Sequence, residues 1–304
     1  MSYQYYVLKD SYFQNIYIFV TGIDMEKEWK IVIKNKSSLF RFNLKEIWKY
    51  RDLCFTFVKK NYTTMYKQTI LGPLYMILAP LLTSGVFTLI FGSIAGISTD
   101  GTPQFLFYMA GNMMWSFFAG CMGDNMNILG NNAYIMGKVY FPRLIIPISS
   151  IITKIFKFIF ELFMFFIFCF VFIARGSEVN FNIMLLALPL FMIQLALLGL
   201  GIGMIISSLT VKYKDLGVIA GFGMKIWMYV SPVIYPVSGL EGGLKVLAMC
   251  NPVAPVIEAT RYAFFGRGML LTPYLILSVT VTIIIFMTGL ILFNKVEKDF
   301  IDTI

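Results

Sequence analysis

The amino-acid sequence predicts an all-α membrane protein with six transmembrane helices, and three observations carry this prediction. Of the 304 residues, 58% are hydrophobic and only 13% are charged, whereas a soluble domain carries about 25% charged residues. Six apolar stretches reach or approach the roughly 20 residues that cross a bilayer. The basic residues between them alternate as in the inner and outer loops of a multi-pass protein.

The segment before the first apolar stretch divides into two parts. Residues 1–43 are predicted to form a cytoplasmic N-terminal extension, in which short alternating stretches hint at strands. Residues 44–70 mix aliphatic, aromatic and basic side chains at helical spacing, with Phe55 and Phe57 among those expected on the apolar side. They predict an amphipathic helix at the cytoplasmic interface, with an ordinary basic anchor as the alternative. Twelve of the 25 Lys and Arg residues precede position 73, which indicates a membrane surface rather than nucleic acid.

Residues 71–304 form the predicted transmembrane domain. Its six spans are about 71–92, 105–129, 144–174, 183–209, 217–236 and 274–293. If residues 1–70 are cytoplasmic, the short inner loops are basic, while the outer segments hold few basic residues despite one long connection. The positive-inside rule then places both termini in the cytoplasm.

The long connection between the last two spans contains two short, partly apolar pieces. They cover about 240–250 and 253–265 and are separated by Asn251-Pro252. Each is too short to cross a bilayer. They predict a re-entrant helix pair, because irregular backbone survives at membrane depth only when it packs against protein.

Glycines recur four residues apart in two spans, at Gly199 and Gly203 and again at Gly217 and Gly221. Such spacing favours close contact between helices or a seam between two copies of the chain.

Several chemical classes are excluded by residues that the sequence lacks. There is no histidine, and the four cysteines are far apart, so neither a Cys/His zinc site nor a disulfide framework is expected. No GxxxxGKS or GxxxxGKT loop is present, so no P-loop ATP site is expected on this chain. Asp124 and Glu161 lie on different spans without an obvious pairing. We therefore expect no metal, no bound cofactor and no catalytic residues.

The third span carries charge at Lys154, Lys157 and Glu161, which share one helix stripe. One interpretation is a channel lining, because charge inside a membrane normally faces protein or water. The alternative is that the first turns protrude, with the lysines reaching the interface and Lys157 pairing with Glu161. Two predicted cytoplasmic loops, 130–143 and 210–216, carry aromatic and charged side chains suited to docking another protein.

A family resemblance rests on ordered landmarks between about Tyr50 and Ile304. They are Arg51-Asp52-Leu53, YKQTILGPL at 66–74, KVYFPR at 138–143, KYKDL at 212–216, SPVIYP at 231–236, Asn251-Pro252, Arg261-Tyr262 and FNKVEKDF at 293–300. The chain resembles the permease subunit of ABC transporters that export O-antigen, capsule or wall teichoic acid.

This resemblance implies a homodimer of permeases with two separate ATPase subunits that hold ATP and Mg²⁺, in the bacterial cytoplasmic membrane. The substrate would be an undecaprenyl-linked glycan or teichoic acid. Two rival functions are an ABC exporter for another lipid or drug and a membrane enzyme acting on polyprenyl lipids. The absent histidines and the unpaired carboxylates count against the enzyme.

The resemblance also implies roles for individual residues. Those expected to couple to the ATPase are Asn132, Tyr134, Lys138, Tyr140, Arg143, Lys212, Tyr213 and Asp215. Those expected in a gate helix that attracts substrate phosphate are Trp48, Lys49, Arg51, Lys59 and Lys60. Channel-lining candidates are Trp115, Phe118, Lys154, Lys157, Trp227 and Tyr229. For each aromatic residue the alternative is an ordinary place in the helix core or in the membrane-interface belt. The outer re-entrant gate would involve Asn251, Glu258 and Arg261.

Overall fold

The computed structural model describes residues 44–66, 74–139, 141–268 and 270–301, and all regular structure in these ranges is helical. The predicted extension 1–43, residues 67–70 of the amphipathic segment and the coupling candidate Tyr140 lie outside the described residues. The α-helices in the described ranges are α1 Leu44–Lys49, α2 Arg51–Tyr66, α3 Leu74–Phe87, α4 Gln104–Met126, α5 Ile128–Lys138, α6 Ile145–Ala174, α7 Leu188–Thr210, α8 Asp215–Val230, α9 Gly242–Cys250, α10 Ala254–Phe265 and α11 Thr272–Ile301. Helix α3 continues as a π-helix over Thr88–Ile94, and a 3-10 turn at Ile183–Ala187 leads into α7.

Helix α7 is the centre of the bundle and packs most extensively against α4 and α11. Its glycines make this possible. A Cβ on Gly199 would lie 2.9 Å from Cys121 Cβ of α4, and a Cβ on Gly201 would lie 2.8 Å from Phe286 Cα of α11. The predicted glycine contact in this span is therefore confirmed, because the missing side chains let the backbones approach. The second pair differs, since a Cβ on Gly221 would meet nothing within 4 Å.

One end of the bundle, called here the α5 end, gathers α2, α5 and the adjoining ends of α6, α7 and α11. A separate apolar cluster holds these elements together through Phe57, Leu129, Met204 and Phe293. The backbone N–H of Leu129 also donates to Ser207 Oγ at 3.2 Å, which joins α5 to α7.

The opposite end, called here the α10 end, holds α9, α10 and the loops beside them. Arg267 lies 3.1 Å from Glu178 and donates to the carbonyl of Gly101, so it links three connections. Asn182 N–H donates to the Ala263 carbonyl at 2.9 Å. Helices α3, α4, α6, α7, α8 and α11 run alternately between the two ends.

Four helical segments in the described residues are long and apolar enough to cross a membrane. They are Ile77–Ile94, Ile145–Ala174, Ile183–Thr210 and Thr272–Val296. The other two predicted spans are helical, as α4 and α8, but are not among these four. Helix α8 has only 16 residues. Helix α4 is largely covered by its neighbours, so its sequence tolerates Asn112 and Asn125, which are buried, where a lipid-facing helix would not. Asp124 lies on the exposed side of α4.

Candidate functional site

The amphipathic segment divides at Tyr50 into α1 and α2. Cys54, Phe57 and Val58 are buried, and the centre of the Phe57 ring lies 5.9 Å from that of Phe141, which shortly precedes α6. Phe55, which the sequence places on the apolar side, is 61% exposed. The buried face of α2 is thus narrower than the predicted one, because α6 covers a single stripe.

The basic residues of this segment lie on its exposed surface and do not converge on one point. Lys49, Arg51, Lys59 and Lys60 are all exposed. The Arg51 guanidinium lies 5.6 Å from the centre of the exposed Trp48 ring. Within α2, Arg51 and Lys60 are nine residues apart, which is about 14 Å along the helix. Their contact with substrate phosphate stays a prediction.

The two predicted docking loops meet at the α5 end. Thr210 Oγ1 approaches the Met126 carbonyl at 3.5 Å, and Gly217 lies beside the Asn127 side chain, so the start of α5 adjoins the loop between α7 and α8. Tyr134 is 73% exposed, and Lys138 Nζ lies 3.8 Å from the centre of its ring.

The other side of this surface comes from the loop between α7 and α8, where Lys212, Tyr213 and Asp215 are exposed. Lys212 Nζ lies 5.3 Å from the centre of the Tyr213 ring. The tyrosines and lysines of both loops therefore present two cation–π pairs on one end of the bundle.

Two coupling candidates do not belong to this exposed surface. Arg143 is only 7% exposed, at the foot of α6. The Asn132 side chain donates to the Ile128 carbonyl at 3.0 Å, within its own helix. A role for either residue would be to support α5 and the start of α6, because neither side chain is free to reach a partner in this conformation.

Aromatic channel candidates cluster between α4 and α8. Trp115, Phe118 and Trp227 pack edge to face, with ring centroids 5.2 to 6.1 Å apart. Phe118 is fully buried in this cluster, whereas Tyr229 is 57% exposed. Trp115 and Tyr229 line a groove of about 200 Å³ between the two helices.

The charged residues of the third span turn toward α4. Lys154 is buried, and its Nζ lies 2.8 Å from Asp124 Oδ2. Lys157 lies 3.3 Å from Glu161, as the sequence spacing suggested, and also donates to Ser116 Oγ at 3.2 Å. Asp124, for which the sequence suggested no partner, is therefore paired with Lys154, and the suggested pairing of Glu161 with Lys157 is confirmed. The channel-lining role of the two lysines stays a prediction.

Lys225 of α8 is a residue that the sequence reasoning missed. It is exposed and lines the same groove as Trp115 and Tyr229. It is also the one charged residue in the predicted span 217–236. A single charge in an apolar span could have predicted this residue from the sequence, because charge inside a membrane is costly and is usually kept for function.

At the α10 end, Arg261 and Glu258 form a buried ion pair 2.9 Å apart, and both are at most 2% exposed. The Arg261 guanidinium also donates to the carbonyls of Pro232 at 2.6 Å and Val233 at 2.8 Å. It lies 3.6 Å from the centre of the Phe107 ring of α4. Arg261 therefore clamps the loop after α8 between α10 and α4.

Asn251 forms a second link between α8 and α10. Its Oδ1 accepts from Trp227 Nε1 at 3.1 Å, and its Nδ2 donates to Ser231 Oγ at 2.8 Å. Helix α10 itself is almost wholly buried, while α9 is mostly exposed. The three outer-gate candidates are thus brought together around the loop that ends α8.

The amino-acid sequence is similar to those of known transport proteins, and this similarity identifies the family. Three similar proteins are curated as "O-antigen export system permease protein RfbA". The one from Myxococcus xanthus is 22% identical over 266 residues, covering 86% of this chain and 98% of that protein. Two from Klebsiella pneumoniae are 26% and 25% identical over 249 residues, covering 82% of this chain and 93% of each protein. Residues 52–265 match the family described as ABC-2 type transporter. This chain is therefore a multi-pass membrane protein that belongs to the ABC-2 type transporter family.

Proposed function

We propose that this chain is the transmembrane subunit of an ATP-driven exporter that moves a lipid-linked, O-antigen-type polysaccharide across the bacterial cytoplasmic membrane. The observation that carries the proposal is the likeness to three O-antigen export permeases along 93% to 98% of their length. Their names favour O-antigen over capsule or teichoic acid within the same class of lipid-linked polymers.

The energy source in this proposal is a separate ATPase that docks at the α5 end. The sequence contains no P-loop lysine motif. Support comes from the exposed Tyr134 and Tyr213, each beside a lysine, on adjoining loops. Exposed tyrosines of this kind are typical anchors of protein interfaces.

The proposed membrane arrangement has six spans, with both termini and the α5 end in the cytoplasm and α10 re-entering from outside. The basic α1–α2 segment supports this orientation. The burial of α10 is compatible with a re-entrant position, since such a helix needs protein around it. Two copies would pair around the path, and α8, which has no buried residue in the single chain, leaves a face for that contact.

Deletion of the gene in its source bacterium tests the export function. The expected result is loss of the polymer from the cell surface and accumulation of its lipid-linked form inside, with recovery when the unsubstituted chain is returned. A Tyr134→Ala chain should insert in the membrane at normal levels but restore less surface polymer. Unchanged surface polymer after deletion would contradict the proposal, and so would lipid-glycan turnover by the purified chain without ATP.

A further inference from the structure

The charge of Lys225 lies deep along α8. It follows Asp215, the first residue of the helix, by ten positions, which corresponds to about 15 Å at the α-helical rise. If Asp215 lies at one surface of a bilayer core that is about 30 Å thick, Lys225 lies near the middle of that core. Side chains of a helix tilt toward its N-terminus, which directs Lys225 away from the nearer end at Val230. Reaching the interface at that end is therefore disfavoured.

Lys225 also lacks a partner. Within the part of the chain that the structure describes, it makes no hydrogen bond or ion pair. This contrasts with Lys154 and Lys157, which pair with Asp124 and Glu161 on the other side of α4. A lone ammonium group facing lipid is strongly unfavourable. The surface that it faces must therefore be water, substrate or another protein group.

The wall beside Lys225 combines an apolar groove lining, which includes Ala119, Met224 and Met228, with small and polar positions on the adjoining surface of α4. On α4, the neighbouring strip is partly or fully exposed and consists of Ser116, Ala119, Gly120, Gly123 and Asp124. Lipid-facing parts of α6 instead expose bulky apolar side chains such as Phe163 and Phe170. The strip lies between two cations, Lys157, whose side chain is 31% exposed, and Lys225. Small side chains leave room for a polymer, and polar side chains allow the surface beside it to stay hydrated.

The groove also offers flat rings. Trp115 and Tyr229 line it together with Lys225; Tyr229 is 57% exposed, whereas Trp115 is 5% exposed and contributes only part of its ring to the wall. Aromatic faces supply large contact area with little loss of side-chain freedom, and a lysine binds phosphate or carboxylate as a point charge. The combination suits a sugar ring that carries an acidic group.

We propose that Lys225, with Trp115 and Tyr229, is a specificity-determining contact in the translocation path for acidic groups of the exported glycan. The ligand is a phosphate or carboxylate on the polymer itself. The diphosphate of the lipid carrier has the same chemistry and would be shared by neutral and acidic glycans. This inference rests on the proposed export function.

The placement of Lys225 can be tested without any glycan. In a Cys250→Ser background the remaining cysteines, Cys54, Cys121 and Cys169, are buried. Lys225→Cys, in proteoliposomes with the partner ATPase, should react with both a sulfonate and a trimethylammonium methanethiosulfonate. The matched control is Ile226→Cys, which is exposed but does not line the groove and should not react. The positive control is the chain without substitutions, in which the exposed Cys250 should react. If that chain reacts but Lys225→Cys does not, the proposal is overturned.

The selectivity is tested by export in host strains that assemble an acidic or a neutral glycan on the same carrier. Lys225→Met should lower export of the acidic glycan by about tenfold, the effect of one lost charge-assisted hydrogen bond. Lys225→Arg should restore it, and neutral export should be unchanged. An equal fall for both glycans would assign Lys225 to the carrier diphosphate or to packing and overturn the polymer contact. No export by the unsubstituted complex would instead contradict the proposed function, while the labelling result still decides the placement.

Discussion

The buried ion pair between Arg261 and Glu258 should be essential to the stability of the α10 end. Replacing Arg261 by Met removes the partner of a carboxylate that is 1% exposed, and it leaves the carbonyls of Pro232 and Val233 without their donor. Breaking a buried pair from one side costs about 3–5 kcal/mol. Each buried acceptor left unsatisfied costs about 1–3 kcal/mol, although such terms do not simply add. The expected loss is therefore about 3–5 kcal/mol.

A double-mutant cycle separates the charge effect from packing. Glu258→Gln alone should cost less than Arg261→Met, because the guanidinium keeps its carbonyl acceptors and the Phe107 ring. The double variant no longer contains the unpaired carboxylate. The free energy of unfolding of the double variant should therefore exceed that of Arg261→Met by about 1–3 kcal/mol. The matched control is Arg267→Met, whose partner Glu178 is 78% exposed. Its effect should stay below about 1 kcal/mol.

The assay is unfolding in mixed detergent micelles by added dodecyl sulfate, followed by tryptophan fluorescence. Trp115 and Trp227 pack together between α4 and α8 and will report loss of that contact. The reasoning would be refuted if Arg261→Met unfolded like the control, or if the two single losses summed to the double loss. Either result would mean that the pair contributes no charge coupling at this site.

Close packing of α7 on α4 should make Gly203→Val lower the yield of monodisperse protein in fluorescence-detected size exclusion, because a Cβ there would lie 3.0 Å from the Met122 carbonyl. Gly221→Val has the same helix-propensity cost and open space around it, so equal yields would contradict this packing. Tyr134→Ala should weaken binding of the ATPase by about tenfold in a pull-down titration, and unchanged binding would remove α5 from the docking surface. Burial raises the pKa of the Cys54 thiol, so at neutral pH maleimide should label the exposed Cys250 well before Cys54. Labelling of Cys54 should then rise as the pH approaches that higher pKa; equal labelling at pH 7, read by mass spectrometry, would place α2 away from α6.

Local pattern predicted much of the helical framework. Long apolar runs predicted four of the spans in the structure because length and hydropathy are properties of a single segment. The pairing of Lys157 with Glu161 followed from their spacing, since residues four apart lie on one helix face. The docking role of residues 130–143 and 210–216 stays a prediction, and the structure forms most of the first predicted loop as helix α5 over Ile128–Lys138.

The misjudged features depend on neighbours that are distant in the chain. Phe55 is exposed because α6 covers only one stripe of α2, and Arg143 is buried although its loop looks accessible. Lys154 pairs with Asp124 thirty positions earlier, which no local pattern indicates. Lys225 was overlooked because a single lysine in an apolar stretch shows its groove only when α4 lies beside α8.

By itself, the sequence determined that the chain is a helical membrane protein with basic flanks and no histidine or P-loop chemistry, because composition and hydropathy belong to the chain whatever its tertiary contacts. Only the tertiary structure decided which charges are satisfied and which remain available. It seals Arg261 against Glu258, the loop after α8 and helix α4, and it leaves Lys225 open in a groove that two aromatic side chains line. The physical reason is that burying a charge requires partners, and those partners come from helices that meet only in the folded bundle.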